Sequence, residues 1–185
     1  MRLLMVLILA LTLGACDTEK SQTPQADVKE PIGRVDISYA GQEAPAIPFE
    51  GPKGGPATLA AFRGKPLIVN LWATWCAPCV KEMPTLDALA EREKGRIQLI
   101  VVSMDMAGRR EVDPYFAKAK FKMLEPYLDK QNVLMEALKT DTLPTTIFYD
   151  AKGREQWRVL GSMDWSGERA RTLIEGALNP PGTKS

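Results

Sequence analysis

The chain has 185 residues, of which 45% are apolar and 25% charged, so it is long enough to form a globular domain with a hydrophobic core. Its net charge of +1 gives no indication of a nucleic-acid partner. It contains no histidine, which excludes a Ser-His-Asp triad or a Cys-His protease and removes the commonest metal ligand of proteins.

The amino-terminal segment has the features of an export signal. A charged start is followed by an almost wholly apolar run over residues 3–13, too short for a membrane span but typical of a signal peptide. The run ends in Leu-Gly-Ala-Cys at residues 13–16, which resembles the lipobox of bacterial lipoproteins. That resemblance implies a signal peptide over residues 1–15, cleavage before Cys16 and acylation of the Cys16 sulfur. An ordinary secretory signal and an uncleaved anchor are the alternatives, and all three place the domain outside the cytosol.

Residues 16–40 are polar and show little apolar periodicity, so they are predicted to form a flexible tether, with the globular domain over 41–180. Pro84 is expected to kink the first helix, and Pro126 to confine its strand to an edge or a bulge. Strands are predicted at 44–49, at 57–59, from Leu67 towards the first domain cysteine, and at 97–104, 123–128, 145–149 and 155–160. Helices are predicted from Cys79 to about Lys94, from Asp113-Pro114, over 133–139 and through 170–178.

The two domain cysteines, Cys76 and Cys79, directly follow a buried strand and open a helix. Unpaired backbone N–H groups and the helix dipole stabilise a thiolate at such a position, so the pKa of Cys76 is expected to be lowered. Cys79 lies one turn further in and is expected to be more buried, so one sulfur attacks a disulfide and the other resolves it. A structural disulfide is less favourable, because so short a loop constrains the unfolded chain little. A zinc site lacks the further ligands it needs.

Several motifs together resemble a known family. Trp-Cys-Ala-Pro-Cys at 75–79 and Leu-Pro-Thr-Thr at 143–146 resemble thioredoxin. The Glu and Pro at 82 and 84, an extra α-β unit before residue 144 and the amino-terminal signal resemble the TlpA/ResA family of membrane-tethered thiol-disulfide reductases. The resemblance covers roughly residues 42–178. It implies an α/β thioredoxin fold, a central mixed sheet flanked by helices, with an N-terminal β-hairpin and the inserted unit.

The resemblance also implies roles for individual residues. Thioredoxin has a buried aspartate six residues before its first active-site cysteine, where this chain has Asn70, which cannot take a proton. Glu82 is the candidate substitute, accepting the proton of Cys79 during resolution; the alternative is an ordinary solvated helix glutamate.

The same resemblance predicts a cis peptide bond before Pro144, which turns the backbone of Leu143 towards the dithiol to pair with a substrate peptide; a trans proline in a loop is the alternative. Trp75 is expected to flank Cys76. The other three tryptophans, among them Trp165, are interpreted as packing residues, although residues 161–165 slightly resemble the TlpA branch. No metal or cofactor is expected.

These features predict a lipid-anchored oxidoreductase in the periplasm or otherwise outside the cytoplasmic membrane, most simply a reductase. The family implies electrons from a DsbD/CcdA-like membrane partner, and as substrates apocytochrome c or the copper-site proteins of cytochrome oxidase. A dithiol oxidase is the first alternative, although Ala77-Pro78 adds no positive charge to the motif. A peroxidase would need threonine at Ala73, and a non-catalytic copper-carrying lipoprotein of the Sco type would need Cys-x-x-x-Cys and a histidine.

Overall fold

The computed structural model describes residues 33–179. Cys16, the predicted signal peptide and most of the predicted tether lie outside these residues. The described part of the chain contains one mixed sheet of eight strands and four α-helices. The strands are β1 (Arg34–Asp36), β2 (Phe49–Glu50), β3 (Pro56–Ala57), β4 (Leu67–Trp72), β5 (Gln98–Ser103), β6 (Pro126–Leu128), β7 (Thr145–Tyr149) and β8 (Glu155–Leu160). The helices are α1 (Ala77–Arg92), α2 (Arg109–Ala119), α3 (Val133–Ala137) and α4 (Glu168–Leu178), with a 3₁₀ helix at Leu59–Phe62.

The sheet has the strand order β1-β8-β7-β4-β5-β6-β2-β3, which places β4 near its centre. Strand β4 runs parallel to β5 and antiparallel to β7, and all six of its residues are buried. Because side chains alternate between the two faces of a strand, Ile68 and Trp72 pack against α1 while Val69 and Leu71 pack with Leu134 of α3 on the other face. The predicted thioredoxin fold is confirmed, and the alternation turns the polar side chain of Asn70 towards α1.

Four residues separate the end of β4 from the start of helix α1. Cys76 is its N-cap and Pro78 occupies one of its first positions, where a missing N–H group removes no helical hydrogen bond. The helix continues through Pro84 to Arg92, within two residues of the predicted end. Its buried stripe is formed by Cys79, Glu82, Met83, Leu86 and Leu89, so one acidic side chain lies among apolar ones.

The predicted tether is wrong at one place. Residues 34–36 were expected to belong to the tether, but they form β1, which pairs antiparallel with β8 at the edge of the sheet. The backbone N–H of Gly33 also donates to the carbonyl oxygen of Ser162. A three-residue strand carries no recognisable periodicity, so its pairing with β8 decides its conformation. None of the helices among residues 33–179 is long and apolar enough to cross a membrane.

Helix α2 begins five residues before Pro114, the first helical position that the sequence predicts. The local signal at Asp113-Pro114 indicated a start there, but the helix begins at Arg109, after Gly108 at φ 60°. The guanidinium of Arg109 donates to the carboxylate of Glu50 at 2.7 Å and to the carbonyl oxygen of Gly51 at 2.6 Å. These contacts with the β2–β3 hairpin fix the first turn and override the local signal.

The amino-terminal hairpin and β6 also differ in detail from the prediction. The two short strands are present, shifted to 49–50 and 56–57, and Leu59 belongs to the 3₁₀ helix. Strand β6 is not an edge strand, because β2 pairs with it at Leu128. Pro126 is tolerated because it is the first residue of β6, where its missing donor matters least.

Candidate redox-active site

A disulfide joins Cys76 and Cys79 at the amino terminus of α1, with an S–S distance of 2.06 Å and a Cα–Cα distance of 5.2 Å. Cys76 retains 6% of its surface exposed, whereas Cys79 is completely buried. The backbone N–H of Cys79 donates to the sulfur of Cys76 at 3.3 Å. The two sulfurs therefore differ as expected: the outer one faces the helix amino terminus and solvent, and the inner one faces the core.

The loop that carries Cys76 is held from the neighbouring strand. The carboxylate of Asp105, which is fully buried, accepts from the backbone N–H of Thr74 at 2.9 Å and from its hydroxyl at 2.6 Å. The hydroxyl of Ser103 donates to the same carboxylate at 2.7 Å. Sequence reasoning missed Asp105. Its position two residues after a buried strand parallel to β4 was the available signal, because parallel neighbours end at the same edge of a sheet.

Glu82 lies on the buried face of α1, one turn beyond Cys79, and only 2% of its surface is exposed. Its Oε1 accepts from the amide of Asn70 at 2.8 Å. Its Oε2 accepts from the backbone N–H of Met163 at 3.0 Å and from the indole N–H of Trp165 at 3.3 Å. Burial raises the pKa of Glu82 to about 7, although these hydrogen bonds and the Ser162 side chain lower it. Glu82 is therefore not a solvated helix residue, and its carboxyl group changes charge near neutral pH.

The partners of Glu82 come from two separate parts of the chain, Asn70 of β4 and residues 162–165 after β8. Asn70 also donates to the hydroxyl of Thr146 at 2.9 Å, and its Oδ1 is buried without a hydrogen-bond partner. Trp165 is fully buried and packs in the core as predicted, but its role as a donor to Glu82 was not predicted. The contact joins residues 83 positions apart, so no local pattern in the sequence signals it.

The third part of the site is the segment before β7. The Leu143–Pro144 peptide bond is cis, as expected. Leu143 and Trp75 line an open groove of about 540 Å³ beside Cys76, and Trp75 is 69% exposed. The remaining lining is mainly apolar, with two polar side chains: Ala77, Pro78, Met104, Asn132, Met135 and Asp141. The structure thus brings every predicted site residue of the described domain to one end of the sheet.

Metal ligands are not gathered at this site. Among residues 33–179, no three or more Cys, Asp, Glu or His side chains are grouped so that they could hold a metal ion.

A sulfur that borders an open groove, paired with a fully buried one at a helix amino terminus and next to a cis-proline loop in a thioredoxin fold, defines a thiol-disulfide oxidoreductase. The chain belongs to the Redoxin family, whose pattern it matches over residues 39–174. Within that family it is a TlpA/ResA-like enzyme, as its relatives show.

Two curated relatives are named thiol-disulfide oxidoreductase ResA. The protein of Bacillus thuringiensis subsp. konkukian is 32% identical over 126 residues, covering 65% of this chain and 69% of the relative. The protein of Geobacillus kaustophilus is 29% identical over 125 residues, covering 66% and 70%. Among solved structures, a thiol-disulfide oxidoreductase from Bacteroides fragilis superposes with a TM-score of 0.62 at 22% identity, covering 74% of this chain and 99% of that one. StoA from Bacillus subtilis gives a TM-score of 0.58 at 23% identity, covering 72% and 99%, so both structures support the fold.

Proposed function

We propose that this protein reduces disulfide bonds of other proteins outside the cytosol, held at a membrane by lipid on Cys16. The observation that carries the reductase chemistry is the arrangement of Cys76, Cys79 and Glu82. An accessible sulfur, a buried sulfur and a buried carboxyl group that titrates near pH 7 lie within the first two turns of α1.

The reaction begins from the reduced dithiol. The Cys76 thiolate attacks one sulfur of a substrate disulfide, forms a mixed disulfide and releases the other substrate sulfur as a thiolate, which takes a proton from water. Cys79 then loses its proton to the Glu82 carboxylate and attacks the sulfur of Cys76. The second substrate thiolate leaves, and the Cys76–Cys79 disulfide seen in the structure remains.

Glu82 suits the role of proton acceptor because of where it lies. Residues three apart on a helix share one face, so the side chains of Glu82 and Cys79 lie on the same face of α1. A pKa of about 7 allows the group to be a carboxylate when it takes the proton and to lose that proton again at neutral pH.

The groove beside Cys76 supports a polypeptide substrate. It is open, and the large apolar surface of Trp75 is uncovered at its rim. We place the substrate chain between Trp75 and Leu143, with the Pro144 loop presenting backbone to it.

The compartment and partners rest on the amino-terminal sequence and the family. We propose a signal peptide over residues 1–15, a lipidated tether from Cys16, and a domain ending near residue 180. A reductase in an oxidising compartment needs electrons from across the membrane, so the proposed donor is a DsbD/CcdA-like membrane protein, and anchoring keeps the two close. Apocytochrome c and the copper-site proteins of cytochrome oxidase are the proposed substrates.

Replacing Cys79 with Ser tests both chemistry and partners. The variant keeps the attacking sulfur and lacks the resolving one, so mixed disulfides on Cys76 accumulate in the native host. Mass spectrometry of the trapped proteins should identify a membrane donor and a protein with paired cysteines. The matched variant Cys76→Ser should trap neither. Equal trapping by the two variants, or none by Cys79→Ser, would refute the attacking role of Cys76.

The redox potential separates the reductase from an oxidase. A reductase should have a potential near or below thioredoxin's, about −270 mV. A value near that of a strong oxidant, about −120 mV, would instead assign an oxidase. A protein that binds Cu(I) and exchanges no disulfides would be the copper carrier.

A further inference from the structure

The two oxygens of the Glu82 carboxyl group have different surroundings. Oε2 accepts two N–H donors, from Met163 and Trp165, whereas Oε1 accepts one, from Asn70. A carboxylate oxygen offers two lone-pair sites. These three donors therefore occupy both sites of Oε2 and one site of Oε1, and the Ser162 side chain is a further partner of the carboxyl group.

The donors to Oε2 are held in place by a second contact with α1. The backbone N–H of Trp165 donates to the hydroxyl of Thr85 at 3.1 Å, and that hydroxyl donates to the backbone carbonyl of Glu82 at 2.8 Å. Trp165 is thus joined to α1 through its backbone and through its indole. The loop between β8 and α4 is therefore tied to α1 next to Glu82 by two hydrogen bonds from Trp165.

We propose that Trp165 and Asn70 are positioning residues that hold the Glu82 carboxyl group in place to take the proton of Cys79. Trp165, with the Met163 backbone, immobilises Oε2, and Asn70 holds Oε1. The inference rests on the proposed role of Glu82 as proton acceptor. The S–H proton of Cys79 moves to the Glu82 carboxylate, and the electron pair of the broken S–H bond stays on the sulfur.

The side chains that surround Glu82 are neutral, so the hydrogen bond from Trp165 can be removed without altering another charge near the carboxyl group. Asn70 faces it from β4, and Ser162, Met163 and Trp165 face it from the β8–α4 loop, all of them neutral. On α1 itself, the titratable neighbour on the buried face is Cys79. Removing the indole donor therefore destabilises the carboxylate without changing any other charge at the site.

The variant Trp165→Phe tests this, with Trp157→Phe as its matched control. Trp157 is also a buried tryptophan of the same core, but its indole N–H has no hydrogen-bond partner. The carboxyl carbon of Glu82, assigned by its loss in Glu82→Gln, is followed by ¹³C NMR against pH in the oxidised and the reduced protein. Trp165→Phe should raise the titration midpoint by roughly one pH unit, and Trp157→Phe should leave it within a few tenths.

A second variant keeps the test independent of the tryptophan ring. Asn70→Leu removes the donor to Oε1 at nearly constant volume and should also raise the midpoint. In each variant, the acidic limb of the pH profile of disulfide exchange should move to higher pH by as much as the titration midpoint of Glu82 does. Neither substitution should alter the rate in a Glu82→Gln background. Equal midpoints for Trp165→Phe and Trp157→Phe, or shifts in rate that persist without Glu82, would overturn the inference. Failure of the proposed function has a different signature: Glu82→Gln would exchange disulfides like the wild type at every pH.

Discussion

Glu82 lies in the apolar stripe of α1, where burial of a charged group is costly and raises its pKa. Hydrogen bonds from Asn70, Met163 and Trp165 oppose this rise, so the pKa stays near 7. Asn70 cannot itself take a proton, so the proton acceptor that we propose lies on the helix rather than on the strand before the dithiol.

The pKa of Glu82 predicts how stability depends on pH. The folded value of about 7 exceeds the reference value of 4.5, so between these pH values the folded protein holds one more proton than the unfolded chain. Stability from this group is greatest below pH 4.5 and is lost as pH rises towards 7. Glu82→Gln stays neutral throughout, so its stability relative to the oxidised wild type should rise by about 3 kcal/mol between pH 4.5 and 8. Urea unfolding of both oxidised proteins measures this, and a pH-independent difference would show that folding does not raise the pKa of Glu82.

Trp75 is predicted to bind substrate rather than to stabilise the fold, because most of its surface is exposed beside Cys76. Trp75→Ala should raise KM for a peptide disulfide roughly 10-fold, about 1.4 kcal/mol of lost contact, with kcat nearly unchanged. The rate with a small-molecule disulfide should stay the same. Ile37 is equally exposed at 69% and lies outside the groove lining, so Ile37→Ala is the control. A similar change in KM for both variants would remove the groove from substrate binding.

At the scale of elements, the site depends on the way neighbouring strands end together. Strand β4 leads into the dithiol and β5 leads into Asp105, which holds the intervening loop through Thr74. The segment before β7 adds the cis-proline loop at the same end of the sheet. Three elements that are distant in the sequence therefore hold the loops that surround Cys76.

Asp105→Asn should lower stability more than it changes chemistry. The amide loses the negative charge and turns an N–H group towards donors, weakening the hydrogen bonds from Thr74 and Ser103. We expect a loss of about 1.5–3 kcal/mol in free energy of unfolding, with an unchanged pH profile of disulfide exchange. Asp113→Asn, at a half-exposed site with a 3.3 Å ion pair to Arg109, is the control and should cost far less. An equal cost at both sites would mean that the loop does not depend on Asp105.

Long buried elements could be predicted from the sequence because a continuous run of apolar residues indicates burial by itself. Strand β4, the dithiol and the helix after it followed from residues 67–79 alone. Strand β1 and the start of α2 could not, since their conformations depend on β8 and on the contact between Arg109 and Glu50. Glu82 was recognised through the resemblance of its motif to the TlpA/ResA family. The hydrogen bond from Trp165 to Glu82 was not predicted, because nothing in the sequence distinguishes Trp165 from a tryptophan that only packs in the core.

In the whole molecule, lipid on Cys16 is proposed to hold the redox domain at a membrane. Replacing Cys16 with Ser, in the native host, should move the protein from the membrane fraction to the soluble extracytoplasmic fraction, because its lipid attachment site is lost. Disulfide exchange by the purified domain should be unchanged. Immunoblotting of cell fractions measures the distribution. Retention of the variant in the membrane fraction would point to an uncleaved anchor instead.

The measurement closest to the central claim is the single-turnover reduction of a peptide disulfide by the fully reduced protein. The wild type should convert one equivalent of peptide disulfide to dithiol and end with the Cys76–Cys79 bond. Cys79→Ser should stop at a mixed disulfide that mass spectrometry places on Cys76, and Cys76→Ser should form none. Reduction by Cys76→Ser at the wild-type rate, or a mixed disulfide on Cys79, would contradict the assignment of Cys76 as the attacking sulfur.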